Sequence, residues 1–187
     1  MRLPEDADHS AERLLRARRG ALRIQPLAGE RLRAEVARMR LAPHQHAYVS
    51  ELDKVLMRRW WKADTTEYVA CLDARVVGYF QLNFCPRETA HYISSPTAIG
   101  FEAFAIDLDW QGMGVGRRVL RALPDLVRAR HPDYDRLNLT VNEDNLPGIR
   151  AYLATGFVDT GLRYLGGRSG PQHIFTLALA PAGDAPR

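Results

Sequence analysis

Apolar residues fall into two rhythms along this chain. Short runs enriched in β-branched and aromatic residues occur at 22–27, 66–72, 76–84, 101–106, 137–141, 157–165 and 172–179, and each reads as a strand. The second and third are joined by Asp73-Ala74-Arg75, which predicts a hairpin, and Gly78 inside the third predicts a bulge or a close backbone approach. Helical spacing appears over 30–39, with acids and arginines turned to water, and again behind Ser50, an N-cap with Asp53 three residues on. That second helix carries Leu52, Val55, Leu56 and Arg59 and leads into Trp60 and Trp61, which read as core or wall residues, with the lining of an acceptor pocket as the other reading. A third stripe joins Val115, Val119, Leu120, Leu123 and Val127. Pro124 within it removes a backbone donor and predicts a kink or a split into two short helices. A fourth helix starts behind Asn145 as N-cap, with Pro147 tolerated in its first turn and Gly156 as its stop; Ile149, Tyr152 and Leu153 are expected to share a face.

The order strand, helix, strand over 101–141 implies a parallel crossover pair inside the sheet. The 187 residues suit one domain. Residues 1–20 read as a frayed, loosely docked or disordered N-terminal extension, with room for a basic helical turn or two over Ala11–Arg19 ended by Gly20, 21–180 as the single domain and 181–187 as a flexible tail. The segment 85–96 is polar, holds two prolines and reads as a loop.

Composition narrows the classes. No apolar run approaches the roughly 18 residues of a membrane span, and the charged N-terminus lacks the apolar stretch of a signal peptide. Cys71 and Cys85 are too few for a disulfide framework or a zinc cluster and read as reduced thiols, which predicts a cytoplasmic protein. A net charge of +4 suits an anionic ligand. Arginine is spread rather than interleaved with aromatics, so no nucleic-acid partner is expected. His44 and His46, two apart, do not share a helix face, and no metal site is predicted.

The most informative stretch is A-F-A-I-D-L-D-W-Q-G-M-G-V-G-R-R-V-L, residues 103–120. A strand, a turn with Gly112, Gly114 and Gly116, and a helix start make an anion site, because the first helical amides have no intrahelical partner and the helix dipole favours negative charge there. Glycine lets a phosphate approach, since no Cβ intervenes. Two phosphate motifs fail. Gly116 is followed by Arg117 and Arg118, not by the Lys-Ser/Thr of a Walker A loop, and Arg117 stands where the third glycine of a dinucleotide fingerprint belongs. A glycine turn that merely caps a helix is the competing reading.

What fits is Gln111-x-x-Gly114-x-Gly116 after a strand, which resembles the (Arg/Gln)-x-x-Gly-x-(Gly/Ala) pyrophosphate loop of the GNAT N-acetyltransferase superfamily. Asn145-x-x-Gly148-x-x-x-Tyr152 followed by Gly156-Phe157 is similar to a second segment of that superfamily. The likeness spans roughly residues 22–180. The Pro43-x-Gln45-x-x-Tyr48-Val49 run and Gly170-Pro171-Gln172-His173 are similar to stretches in bacterial members that acetylate small amines. Pro124 departs from the usual long helix.

The resemblance implies an α/β fold of α+β character: a mixed, mostly antiparallel sheet of six to seven strands, helices on both faces and a central parallel pair splayed to hold acetyl-CoA. It implies that Phe104, Ala105 and Ile106 line the pantetheine arm, with an amide near Ile106 facing the thioester oxygen. It places the pyrophosphate on Gln111, Gly112, Met113, Gly114, Val115, Gly116 and Arg117, Asn145 on the cofactor, and Tyr152 at both the cofactor and the general-acid position. Acetyl transfer needs a neutral amine, and Glu102 is the candidate base, an acid inside an apolar strand with the expected parity of Phe104 and Ile106. His91 and His173 are the other candidates, and a salt-bridged Glu102 without a task is the competing reading. The expected activity is direct transfer from acetyl-CoA, without a metal, to a small primary amine of polyamine, amino-acid or aminoglycoside type. A protein lysine or N-terminus, or an acyl-CoA-binding sensor without turnover, stays open, as does a homodimer. No membrane partner is expected.

Overall fold

The computed structural model describes residues 5–43, 45, 64–85, 95–167 and 169–179. The expected helix behind Ser50 with its tryptophan pair, His44, His46, His91, most of the loop 85–96 and the C-terminal tail lie outside the described residues. Among the described residues seven strands form one sheet in the order β1-β2-β3-β4-β5-β7-β6: β1 Leu22–Pro26, β2 Thr65–Leu72, β3 Arg75–Asn83, β4 Ala98–Ile106, β5 Arg136–Asn142, β6 Val158–Tyr164 and β7 Gln172–Ala178. Neighbours run antiparallel except β4 and β5, the predicted parallel pair. The helices are α1 Glu5–Arg19, α2 Gly29–Ala37, α3 Val115–Arg130 and α4 Leu146–Leu153.

Two apolar layers sandwich the sheet. The larger holds the whole α3 stripe (Val115, Val119, Leu120, Leu123 and Val127) together with Ala17 of α1 and Phe80, Phe101, Phe157 and Phe175. The smaller joins Val36 of α2 and Met39 to Val69, Cys71, Tyr79 and Ala105. The strand parity read from the sequence therefore sorts residues between two real cores, except at two bulges: in β3 beside Gly78, where Val77 and Tyr79 fall into different cores, as the predicted bulge requires, and in β4, described below.

One expectation needs correction and two are met in part. The basic helical turns expected over Ala11–Arg19 belong to the longer helix α1, where Ala17 is fully buried and the Arg118 guanidinium donates to the Ala17 and Gly20 carbonyls. One long-range arginine thus ties down a helix whose own sequence is too polar to announce its docking. Of the two outcomes expected at Pro124, the split does not occur: α3 is one helix through Pro124, because its buried stripe carries it past the missing donor. Leu153 does not join Ile149 and Tyr152 inside; it is exposed at the end of α4. The hairpin reading holds, with β2 and β3 antiparallel about Asp73. Gly78 is a close approach as expected: a Cβ there would stand 2.8 Å from Ile106 Cδ1 and 3.2 Å from the Ala105 carbonyl oxygen.

The end of α3 carries a pH-sensitive contact. His131 caps the helix and its Nε2 lies 3.0 Å from the Tyr68 hydroxyl, with the Phe84 ring tilted against it at a centroid distance of 4.8 Å. Burial, then the neighbouring Arg130 charge, lower its pKa from the ordinary 6.5. The unfolded chain therefore binds this proton more readily than the folded one, and stability falls as pH drops below about 6.5. Thermal melts between pH 8 and 5 should show that decline, and His131→Gln should flatten its upper part. An unchanged acid slope in the variant would mean that His131 is not the group responsible.

Candidate functional site

The parallel pair parts early. β4 and β5 pair only at Ala98/Arg136, Ile99/Leu137 and Gly100/Asn138, although β4 continues to Ile106 and β5 to Asn142. Past Gly100 a cavity of about 500 Å³ opens, lined by Phe104, Ala105 and Ile106 of β4, by the glycine loop and by α4. This is the wedge the resemblance implied.

The loop at one end leaves open space beside its backbone. Gly112 and Gly114 have φ of 72° and 83°, in the left-handed region, and a Cβ on either would meet no atom within 4 Å. Gly114 is the N-cap of α3, and the first intrahelical bond runs from the Arg118 N–H to the Gly114 carbonyl. The amides ahead of Arg118 consequently lie outside the helical ladder, at the positive end of the dipole. Gln111, Gly112, Gly114, Val115, Gly116 and Arg117 all line the cavity, while Met113 packs against the larger core. Arg118 is turned away to α1, leaving exposed Arg117 as the cation of this first turn.

At the other end stand Asn145 and Tyr152 of α4, both on the cavity wall. Asn145 caps the helix through its side-chain oxygen, which accepts from the Gly148 N–H at 3.1 Å. Gly148 gives that side chain room, since a Cβ would fall 2.7–3.0 Å from it and Asn145 would have to shift. The Tyr152 ring sits among Phe101, Phe104, Phe157 and Phe175, with centroids 5.5–6.5 Å away. Burial pushes its phenol pKa well above the ordinary value, so the group is a neutral O–H donor at any working pH.

Glu102 departs from expectation. The pairing of β3 with β4 shifts by one residue between Gln81/Glu102 and Tyr79/Ala105, and Ala103 within the shift has φ 53°. This bulge breaks the alternation, so Glu102 shares a face with Ala105 and Gln81, opposite to Phe104 and Ile106. Its carboxylate accepts from Asn83 Nδ2 at 3.0 Å. It does not line the cavity but lies on the α2 side of the same strand, among polar groups the sequence did not single out. There Arg33 pairs with Glu67 at 3.2 Å, the Tyr79 hydroxyl donates to Glu67, and Gln81 donates to Tyr79. His173 is engaged elsewhere, 2.7 Å from Asp159 across β6 and β7, and is not on the cavity wall. Among the described residues no His, Cys, Asp or Glu group is placed to hold a metal ion, and no helix is long and apolar enough to cross a membrane.

Leu41, Gln45, Trp110 and Arg150 also line the cavity, and sequence reasoning had assigned them no part in it. Only Gln45 carried a signal, as the glutamine of the Pro43-x-Gln45-x-x-Tyr48-Val49 run.

Comparisons with known proteins agree with this geometry. A family model described as "Acetyltransferase (GNAT) family" matches residues 30–157. The chain is 28% identical over 103 residues to the uncharacterized N-acetyltransferase YbbJ of Bacillus subtilis, covering 55% of this chain and 64% of that protein. It is 28% identical over 100 residues to the L-amino acid N-acetyltransferase AaaT of Escherichia coli, covering 52% and 57%. In both cases the chain spans less than two thirds of the relative's length. Among solved structures, the aminoglycoside acetyltransferase AAC(6')-Ib in complex with coenzyme A superposes with a TM-score of 0.68 at 19% identity, covering 84% of this chain and 95% of that one. The spermidine N-acetyltransferase from Vibrio cholerae in complex with CoA and spermine superposes with a TM-score of 0.60 at 17% identity, with coverage of 84% and 95%. At these identities the likeness establishes a common fold.

Proposed function

Because this chain belongs to the GNAT acetyltransferase family, we propose that it is an acetyl-CoA-dependent N-acetyltransferase acting by direct transfer on a small primary amine. The observation that carries the reading is the wedge between β4 and β5, which runs from the open amides of the Gly114 turn to the Tyr152 phenol. A pyrophosphate fits the first end, where a Cβ at Gly112 or Gly114 would meet nothing. An extended pantetheine arm fits along Phe104, Ala105 and Ile106, where β4 has lost its parallel partner.

The chemistry follows from that placement. An amide at the Ile106 end of β4 stabilises the negative charge that builds on the thioester oxygen. Tyr152 donates a hydrogen bond to the departing thiolate. The acceptor amine enters from the α2 face of β4, opposite the cavity that takes the cofactor arm, and Glu102, turned to that face by the Ala103 bulge, draws the proton from its ammonium through a water, because an amine with a pKa near ~10.4 has almost no lone pair available at neutral pH. The smallness of the acceptor is supported by the solved relatives of this fold that hold aminoglycosides or spermine.

Thiol release from acetyl-CoA, measured over spermidine, an aminoglycoside, free amino acids and lysine peptides, tests the activity. Turnover of a small amine is the expected result. Binding of coenzyme A with no turnover on any amine would replace the enzyme by a sensor. Glu102→Gln tests the base. We expect kcat/KM to fall about 10- to 100-fold near pH 7 and the deficit to shrink towards pH 10, where the amine loses its proton unaided. A deficit independent of pH would remove Glu102 from the proton path.

A further inference from the structure

We propose that Gln45 is a positioning residue for the acetyl-transfer end of the cleft, acting through Gln111 on the Ile106 carbonyl; its role in turnover rests on the acetyltransferase reading above. Gln111 opens the phosphate loop, yet its side chain turns back. Its Nε2 donates to the Ile106 carbonyl at 2.7 Å and to Gln45 Oε1 at 2.8 Å, so both amide hydrogens are used. Gln45 Nε2 returns a bond to Gln111 Oε1 at 3.1 Å. The second lone pair of Gln45 Oε1 takes the Ala42 N–H at 3.0 Å, and the Gln45 N–H donates to the Ala42 carbonyl. The two side-chain amides form a closed ring with one orientation.

What this ring holds is the last peptide unit of β4. Its carbonyl, on Ile106, is fixed by Gln111, and its N–H, on Asp107, donates to the Val77 carbonyl at 3.0 Å. Ile106 lies beyond the last β4–β5 pair, so no parallel strand steadies it from that side. The neighbouring turn is stapled in the same sense, since the Arg40 N–H donates to Asp107 and the Leu108 N–H to the Arg40 carbonyl. Gln45 therefore connects the segment after α2 to the strand end where the thioester oxygen is to be met. This gives a physical task to the glutamine of a motif that the phosphate loop leaves unexplained. A one-ångström drift of a catalytic group costs far more in rate than in binding, so the consequence belongs in kcat rather than in cofactor affinity.

The test is a double-variant cycle with two readouts. Gln45→Met keeps the side-chain length and removes the amide, and Gln111→Met does the same on the other side. For Gln45→Met we expect kcat to fall about 10-fold, while KM for acetyl-CoA and the calorimetric Kd for coenzyme A stay within about threefold. Hydrogen exchange of the amides in 106–111, measured with coenzyme A bound, should speed up about 10-fold. The double variant should be no worse than the poorer single, because both remove one ring. Gln45→Glu keeps the acceptor for Gln111 and Ala42 and should recover part of the exchange protection; it also decides the matter should Gln45→Met not fold. Losses that multiply in the double variant, or exchange at 106–111 that does not change, would overturn the proposal. The exchange readout requires no acceptor amine. A wild-type protein that turns over nothing would thus defeat the acetyltransferase reading, while the exchange data would still decide whether Gln45 holds Ile106.

Discussion

Gly114→Val should lower coenzyme A affinity at least about 100-fold, or roughly 2.7 kcal/mol, while the protein still folds. Two effects combine. Gly114 sits at φ 83° and ψ 0° as the N-cap of α3, a conformation that costs a non-glycine residue of order 1–3 kcal/mol and a β-branched one the most. The chain relieves that strain by rotating the turn, which re-aims the amides ahead of Arg118. If it does not rotate, the valine methyls project into the open side of the turn, where at present a Cβ would meet nothing within 4 Å. Either way the anion loses its seat, and the buried α3 stripe behind the turn is untouched. Gly116→Ala is the internal comparison. A Cβ there would make ordinary contacts, 3.5 Å to Ile106 and 3.8 Å to Phe104, and its φ is not left-handed, so only a few-fold loss is expected. Calorimetry on the two variants, with a melt to confirm folding, decides the matter. Equal affinities for wild type and Gly114→Val would mean that the turn does not cradle a phosphate.

The elements that the sequence made legible are those whose information is local. The hairpin about Asp73, the β4–loop–α3 unit and the Asn145 cap each rest on residues a few positions apart, and each stands where periodicity and turn chemistry predicted. The features that escaped are held by distant partners. Helix α1 docks through Arg118, about a hundred positions away in sequence. The Gln45–Gln111 ring spans 66 positions. The Ala103 bulge has no local marker, because an alanine at φ 53° is dictated by the register between β3 and β4 rather than by its own preference. That single misread reversed the face of Glu102 relative to Phe104, while the same strand's apolar pattern placed its C-terminal end correctly and its start three residues late. The buried chain of Arg33, Glu67, Tyr79 and Gln81 was hidden for a related reason: each residue is ordinary alone, and only the folded register brings them into contact.

Tyr152→Phe removes one oxygen and leaves the ring among Phe101, Phe104, Phe157 and Phe175, so its effect should fall on chemistry rather than on the fold. The phenol is ordinarily a weaker acid than a thiol, ~10 against ~8.5, and burial weakens it further. Complete transfer of its proton to the departing thiolate is therefore uphill. What the hydroxyl supplies is a hydrogen bond to a charged acceptor, worth about 1.5–3 kcal/mol, which corresponds to roughly 10- to 150-fold in kcat. The KM for acetyl-CoA should change little, since the bond strengthens only as charge develops on sulfur. The sign of the pH dependence follows from the same shift. A phenol whose pKa is raised stays protonated up to and beyond the ordinary titration range, so any alkaline fall in wild-type turnover below pH 10 belongs to another group and should persist in the variant. The profile of Tyr152→Phe should accordingly be lower at every pH but unchanged in shape. Wild-type turnover in the variant would remove Tyr152 as the donor. Loss of the alkaline limb would show instead that the phenol titrates within the working range, and that its aromatic surroundings are wetter than their packing implies.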